Sequence, residues 1–218
     1  MHMDCVSDIP DTPFFDIFET NEEICKRGRC LFQGDIIRLV KGETDFFIER
    51  YPDVLGYLII SNSCDLDRLE KMERISMVPI FPFKKLLDEF LDKRIEKLKN
   101  TKELENEVTN MIYNESNYKT KFTFFISELK EFSDKPTIAY LDDVRSVEIK
   151  SIDMLLKNRI TSLKGPWREK LGHKVGYIFN RVATNTPDKE KIKAWWITTY
   201  NEEYSYSTDK INGRLTSF

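Results

Sequence analysis

Residues 61–67 read Ser-Asn-Ser-Cys-Asp-Leu-Asp, directly after the apolar run Leu58-Ile59-Ile60. A thiol, an amide and two carboxylates at the exposed end of a rigid strand are placed where chemistry can be done. Asn62 could bind a phosphate or a base edge. Asp65 could position a proton or a water. Cys64 could attack if a base made its thiolate, and His173 is the only internal histidine able to serve. With Asp67, these residues form one candidate catalytic group: Asn62, Cys64, Asp65 and Asp67. The same stretch also reads as a strand ending in an Asx-capped turn, with Cys64 packed as a small hydrophobe. The burial of Cys64 separates the two readings.

A second concentration of chemistry is electrostatic. Net charge is −3, but residues 157–193 hold ten Lys or Arg against three Asp or Glu. A basic segment on an acidic protein reads either as a polyanion-binding face or as a solvated helix face. If the former, Arg168, Lys170, Lys174 and Arg181 are the candidate nucleic-acid contacts, and binding would be salt-sensitive. Arg145 and Arg181 could equally hold carboxylates. Trp195, Trp196 and Tyr200 could stack bases or fill a core. The four cysteines are sparse, and Cys25-x4-Cys30 with Cys64 and Cys5 or His2 lacks the paired spacing of a zinc site. No Gly-rich phosphate loop is present, and no metal or cofactor is expected.

The elements that must position these groups follow from pattern. With 218 residues, 40% hydrophobic and 33% charged, the chain is long enough for a core of its own. No apolar run approaches the roughly 18 residues of a membrane span. The first residues lack the basic flank and apolar stretch of a signal peptide, so reduced thiols and a cytoplasmic setting are expected. Ile36–Val40, Tyr57–Ser61 and Ile75–Ile80 read as strands, the third stopped at Pro79 and Pro82 and so barred from the middle of a sheet. Residues 84–114 change to helical spacing (Leu87, Phe90, Leu91, Ile95, Leu98, then Leu104, Val108, Met111, Ile112), a helical insertion spanning 84–116. Strands are expected again at Phe122–Ile126, Thr137–Leu141 and Ser146–Ile149. Residues 152–163 read as a helix ended by Gly165. Pro166 opens another, whose apolar stripe Trp167, Leu171, Val175, Ile178, Phe179 turns Arg168, Lys170 and Lys174 toward solvent. The aromatic tail past 194 adds a last strand or wraps the body. The expectation is a single α+β domain over 1–218. Its barrel core is 31–83 and 120–163, interrupted by the insertion, and 164–218 forms a C-terminal helix and tail.

Four phrases in order, QGDIIRLV, LGYLIISN, ISMVPI and TIAYLDDVRSVEIKSIDMLLKNRITSL, resemble the MazF/PemK toxin family. The phrase Asp143-Val144-Arg145-Ser146-Val147 matches that family's closing strand. The resemblance covers residues 31–82 and 137–163 and implies a small antiparallel SH3-like barrel. It further implies a homodimer, an antitoxin or other protein partner, and metal-free cleavage of RNA rather than DNA in a toxin–antitoxin or phage-defence setting. The chain departs from the family at two places. Leu55-Gly56-Tyr57 enters the second strand without the family's arginine, and Pro79 is followed by Ile80 and not by Ser or Thr. The Ser-Asn-x-Cys-Asp phrase and the later Gly165-Pro166-Trp167-Arg168-Glu169-Lys170-Leu171 also resemble a looser group of bacterial barrel-type proteins. Asp65-Leu66-Asp67 has the form of the haloacid dehalogenase-type phosphatase motif, which needs a parallel Rossmann-like sheet.

Three functions therefore stand open. The first is a nucleic-acid-binding protein that cuts RNA. The second is a non-catalytic protein-interaction module on the same barrel. The third is a hydrolase using Asn62–Asp67.

Overall fold

A computed structural model describes residues 17–28, 30–38, 53–68, 72–114, 122–132, 135–179 and 189–215. The chain is a mixed α+β protein with a curled, antiparallel, half-barrel sheet and several helices. It gathers into two compact units: a sheet unit from Asp16–Leu86 and Asn114–Thr184, and a helical unit that includes Leu87–Tyr113 and Asn185–Phe218. Among the described residues no helix is long and apolar enough to cross a membrane.

The sheet has seven strands: β1 (Asp35–Ile37), β2 (Gly56–Ile59), β3 (Arg74–Pro82), β4 (Thr123–Leu129), β5 (Lys135–Tyr140), β6 (Arg145–Glu148) and β7 (Arg159–Ser162). Their order is β4-β5-β3-β2-β1-β7, with β6 also on β3, and every pairing is antiparallel. Strands from both sides of the helical insertion therefore share one sheet, with β4 and β7 at its two ends. The β2 and β3 runs are buried on both faces, which is why they read as continuous apolar stretches and not as alternating ones. One face carries a core of Ile37, Tyr57, Ile59, Ile75, Met77 and Val147, closed by Leu31, Leu66 and Leu155.

Contrary to the expectation from its prolines, β3 is the central strand. Its partners are β2 on one edge and, on the other, β6 along its first half and β5 along its second. The Ile60 amide donates to the Ser76 carbonyl (3.0 Å), so antiparallel alternation aims Ser76, Val78 and Ile80 at β2, and Met77, Pro79 and Phe81 at the far edge. Pro79 then falls between Met77, paired with Arg145, and Ile80, paired with Ala139. There the partner strand is broken by residues 141–144, and no ladder bond asks for the missing N–H. Pro82 faces past the start of β2 at Gly56.

The expected helix 152–163 divides. A short helix, α5 (Ile152–Lys157), closes at Asn158, whose amide and side chain both donate to the Met154 carbonyl (3.1 and 3.0 Å). Arg159-Ile160-Thr161-Ser162 then runs as β7 beside β1. The apolar spacing fits a helix, but the β-branched pair and a waiting edge on β1 decide for a strand. Residues 17–19 extend that edge through a Phe18–Leu163 bridge, with Glu19 N donating to Ser162 O (2.8 Å) and Lys164 N to Ile17 O (2.7 Å). They lead into α1 (Asn21–Lys26), opened by a Thr20–Glu23 capping box. Gly165 opens rather than ends a helix, α6 (Gly165–Phe179).

In the helical unit, the insertion forms α3 (Phe83–Arg94, which straddles the unit boundary), a 3-10 turn (Ile95–Lys97) and α4 (Thr101–Ile112). The tail forms α7 (Lys189–Thr199) and α8 (Asn201–Leu215), and not a strand. Trp195 and Trp196 are buried, and the Trp196 indole donates to Thr109 Oγ1 on α4 (3.2 Å). These rings are core. Glu105 on α4 accepts from Tyr204 on α8 (2.7 Å) and forms an ion pair with Lys193 on α7. The hydrogen bond to Glu105, followed by burial, pushes the Tyr204 phenol up to about 12.

Candidate functional site

At the end of β2 the backbone leaves the sheet through Ile60 and Ser61, both donating to the Ser76 carbonyl, while Ser61 Oγ accepts from Ser76 N (2.8 Å). Asn62 is the N-cap of a single turn, α2 (Ser63–Leu66), and its side-chain oxygen accepts from Cys64 N (3.0 Å). Ser63 Oγ accepts from Gln33 N (3.2 Å), and Leu66 seats the turn in the core. The Asx-capped turn is present, but Cys64 is not its buried hydrophobe: Cys64 is exposed, as are Asp65 and Asp67. The four candidate catalytic residues therefore divide. Asn62 works on the backbone, and the other three face outward. The antiparallel setting of β2 does not match the parallel sheet that the phosphatase motif needs. Among the described residues no three His, Cys, Asp or Glu side chains come together where they could hold a metal ion; Cys5 and His2 lie outside those residues.

The basic residues of α6 also divide, and not as their spacing suggests. Lys174 is 1% exposed and Lys170 8%, so neither points to solvent; the Lys170 ammonium stands 5.5 Å from the centre of the Trp167 ring. The buried side of the helix runs through Lys170, Leu171 and Lys174 rather than along the Trp167–Val175 stripe. Long aliphatic stems let lysines line an interior face. Arg168 turns inward to Glu19 and donates to the Leu163 carbonyl (2.8 Å). His173 is half-buried on the same helix. Arg181 lies outside the described residues.

Arg168 belongs to a cluster that sequence pattern did not reveal. Asp35, fully buried at the start of β1, accepts from Arg27 Nη2 (3.3 Å), Arg159 Nη1 (3.2 Å) and Phe32 N (2.9 Å). Glu19 bridges Arg27 (2.6 Å) and Arg168, one carboxylate oxygen to each. Both guanidinium groups lie over the Phe32 ring, 4.5 and 5.2 Å from its centre. Arg159 also donates to the Cys30 carbonyl (2.7 Å). The one visible signal was Gly34-Asp35 before a strand. Its partners lie at 19, 27, 159 and 168, separations that no local pattern can join.

Gln33 ties the two sites together. Its amide meets Ser63, its side chain donates to the Ile60 carbonyl (2.9 Å), and Gly172 of α6 approaches so closely that a Cβ there would sit 2.8 Å from Gln33 Oε1. The loop 31–34 thus lies against both the Ser-Asn-x-Cys-Asp turn and the helix that begins Gly-Pro-Trp-Arg.

A third group lies on the sheet. Arg145 of β6 pairs with Asp143 (2.7 Å), so it holds a carboxylate. Burial raises the Tyr57 pKa, the Arg145 charge opposes the rise, and the Asp143 charge adds to it. No protein-family model, curated protein or solved structure matches the chain.

Proposed function

We propose that this chain is a non-catalytic interaction module built on the curled sheet. The reading rests on where exposed chemistry remains. Ser61, Asn62 and Ser63 hold backbone, Arg168 is internal, Lys170 and Lys174 are buried, and Cys64, Asp65 and Asp67 are exposed but do not gather into a metal-holding group among the described residues. By contrast, among the described residues of the sheet unit Phe122 (38%) and Val144 (45%) are exposed large hydrophobics, and Val144 closes the turn that begins at Leu141, whose N donates to Phe122 O (2.7 Å). These exposed apolar side chains carry the proposal. Asp142, exposed, stands two residues before Val144, so the chemistry that fits is a partner segment combining apolar and basic side chains.

A second reading, the family-like cleavage of single-stranded RNA, is favoured by one observation. Arg145 stands beside Asp143 and Tyr57 within the phrase that resembles the MazF/PemK closing strand, and a guanidinium fork can hold a phosphate. Incubation with mixed single-stranded RNA, with and without divalent metal and over a salt series, separates the two. The module reading expects neither cleavage nor salt-steep binding. Cleavage lost on Arg145→Ala would replace it with the nuclease.

A further inference from the structure

We propose that the cluster of Arg27, Arg159 and Arg168 beside Phe32 is a binding site for one small oxyanion of the phosphate type. Among the described residues three guanidinium groups share two carboxylates, Glu19 and Asp35, one positive charge more than the carboxylates balance. The site is nearly closed to solvent: side-chain exposures are 13% for Arg27, 9% for Arg159, 19% for Arg168, 11% for Glu19 and 0% for Asp35. An uncompensated charge held this far from water is costly, and a bound anion would offset it.

The donors tell the same story. Arg27 Nε and Nη1 and Arg168 Nε are buried with no hydrogen-bond partner, as is Glu19 Oε2, so three donors stand against one acceptor. Buried donors of this kind call for a water or an ion. Glu19 holds the Nη2 atoms of Arg27 and Arg168 within the width of one carboxylate. Both Nη2 atoms are taken, so an oxyanion here would accept single N–H bonds from Arg27 Nε or Nη1 and from Arg168 Nε. Beside Arg27, Gly28 is exposed, and a Cβ on it would meet nothing within 4 Å. Tetrahedral anions fit this chemistry, whether free phosphate or the phosphate of a small monoester. A nucleic-acid backbone does not, because it needs many exposed cations at once.

The test is thermal unfolding of the full chain in phosphate, in glycerol 3-phosphate and in chloride at matched ionic strength, beside a titration followed by phosphorus NMR. The expected result is a saturable rise in Tm with phosphate over chloride, and saturable broadening of the phosphorus signal. A response to the monoester at lower concentration would assign the site to an esterified phosphate, and a response to the inorganic ion alone would assign it to free phosphate. Arg168→Lys, which keeps the charge and loses the Nε donor, should weaken binding at least tenfold. Lys26→Gln, on the exposed side of α1, should leave it unchanged. Equal Tm in phosphate and chloride with no broadening overturns the proposal. So does a phosphate response that survives intact in Arg168→Lys.

Discussion

At Asp35 a carboxylate with no solvent exposure accepts from Arg27, Arg159 and the Phe32 amide. Asparagine keeps the shape and removes the charge, leaving Arg159 without its counter-ion and Arg27 with Glu19 alone. Asp35→Asn should cost about 3–5 kcal/mol in urea unfolding, the cost of breaking a buried pair from one side. Glycines give a sharper contrast. A Cβ on Gly56 would meet the Ile37 carbonyl at 2.7 Å and the Phe132 ring at 2.8 Å, whereas one on Gly176 meets nothing within 4 Å. Gly56→Ala should destabilise by about 1–3 kcal/mol. Gly176→Ala, inside α6, should stabilise by roughly 0.5–1 kcal/mol. At this scale the sequence showed which residues could do chemistry but not what they do. The strand-end turn was legible because Asn62 acts on its own neighbours. The side on which Arg168, Lys170 and Lys174 fall depends on what packs against α6, and the apolar stripe pointed the wrong way.

Among elements, one acidic residue of the helical unit reaches two helices beside the buried tryptophans. Glu105 of α4 takes the Tyr204 hydroxyl of α8 and the Lys193 ammonium of α7. The fold favours the neutral phenol, raising its pKa from 10.0 to about 12. That contribution is complete below the unfolded value and is lost as pH climbs through the folded one. Ultraviolet absorbance should therefore find a phenol titrating near 12 that Glu105→Gln returns toward 10. Stability should fall between those values in wild type, and Tyr204→Phe should lack that part of the fall. Asn114 plays a comparable part where the sheet resumes after the insertion. At φ 58° its side chain donates to Phe125 O (2.8 Å) and accepts from Phe125 N (2.6 Å), completing an edge of β4. The strands were legible where apolar residues run together, as in β2, β4 and β5. β7 was not, because Ile160 and Leu163 continue the spacing of α5 and only the free edge of β1 turns the segment into a strand.

Across the sheet unit, segments separated by the helical insertion pair into one antiparallel sheet, as the order of apolar phrases led one to expect. The prolines of β3 misled because a missing N–H matters only where a partner strand asks for it, and here β5 and β6 part at that point. The same wiring explains the polar end of β2. Ser61 accepts from β3, Ser63 from the loop before β1, and Asn62 from its own turn, so these residues join three pieces of the sheet. The central claim is that this cluster holds the fold and is not arranged for chemistry. Residues kept for catalysis are commonly held at a cost, so replacing them tends to leave stability unchanged or raise it. The measurement is the urea-unfolding free energy of Asn62→Ala beside Asp65→Ala. The account predicts a loss of about 1 kcal/mol for Asn62→Ala, the usual worth of a helix N-cap. It predicts a change within about 0.5 kcal/mol for the exposed Asp65. An Asn62→Ala protein as stable as wild type, or more so, would contradict it.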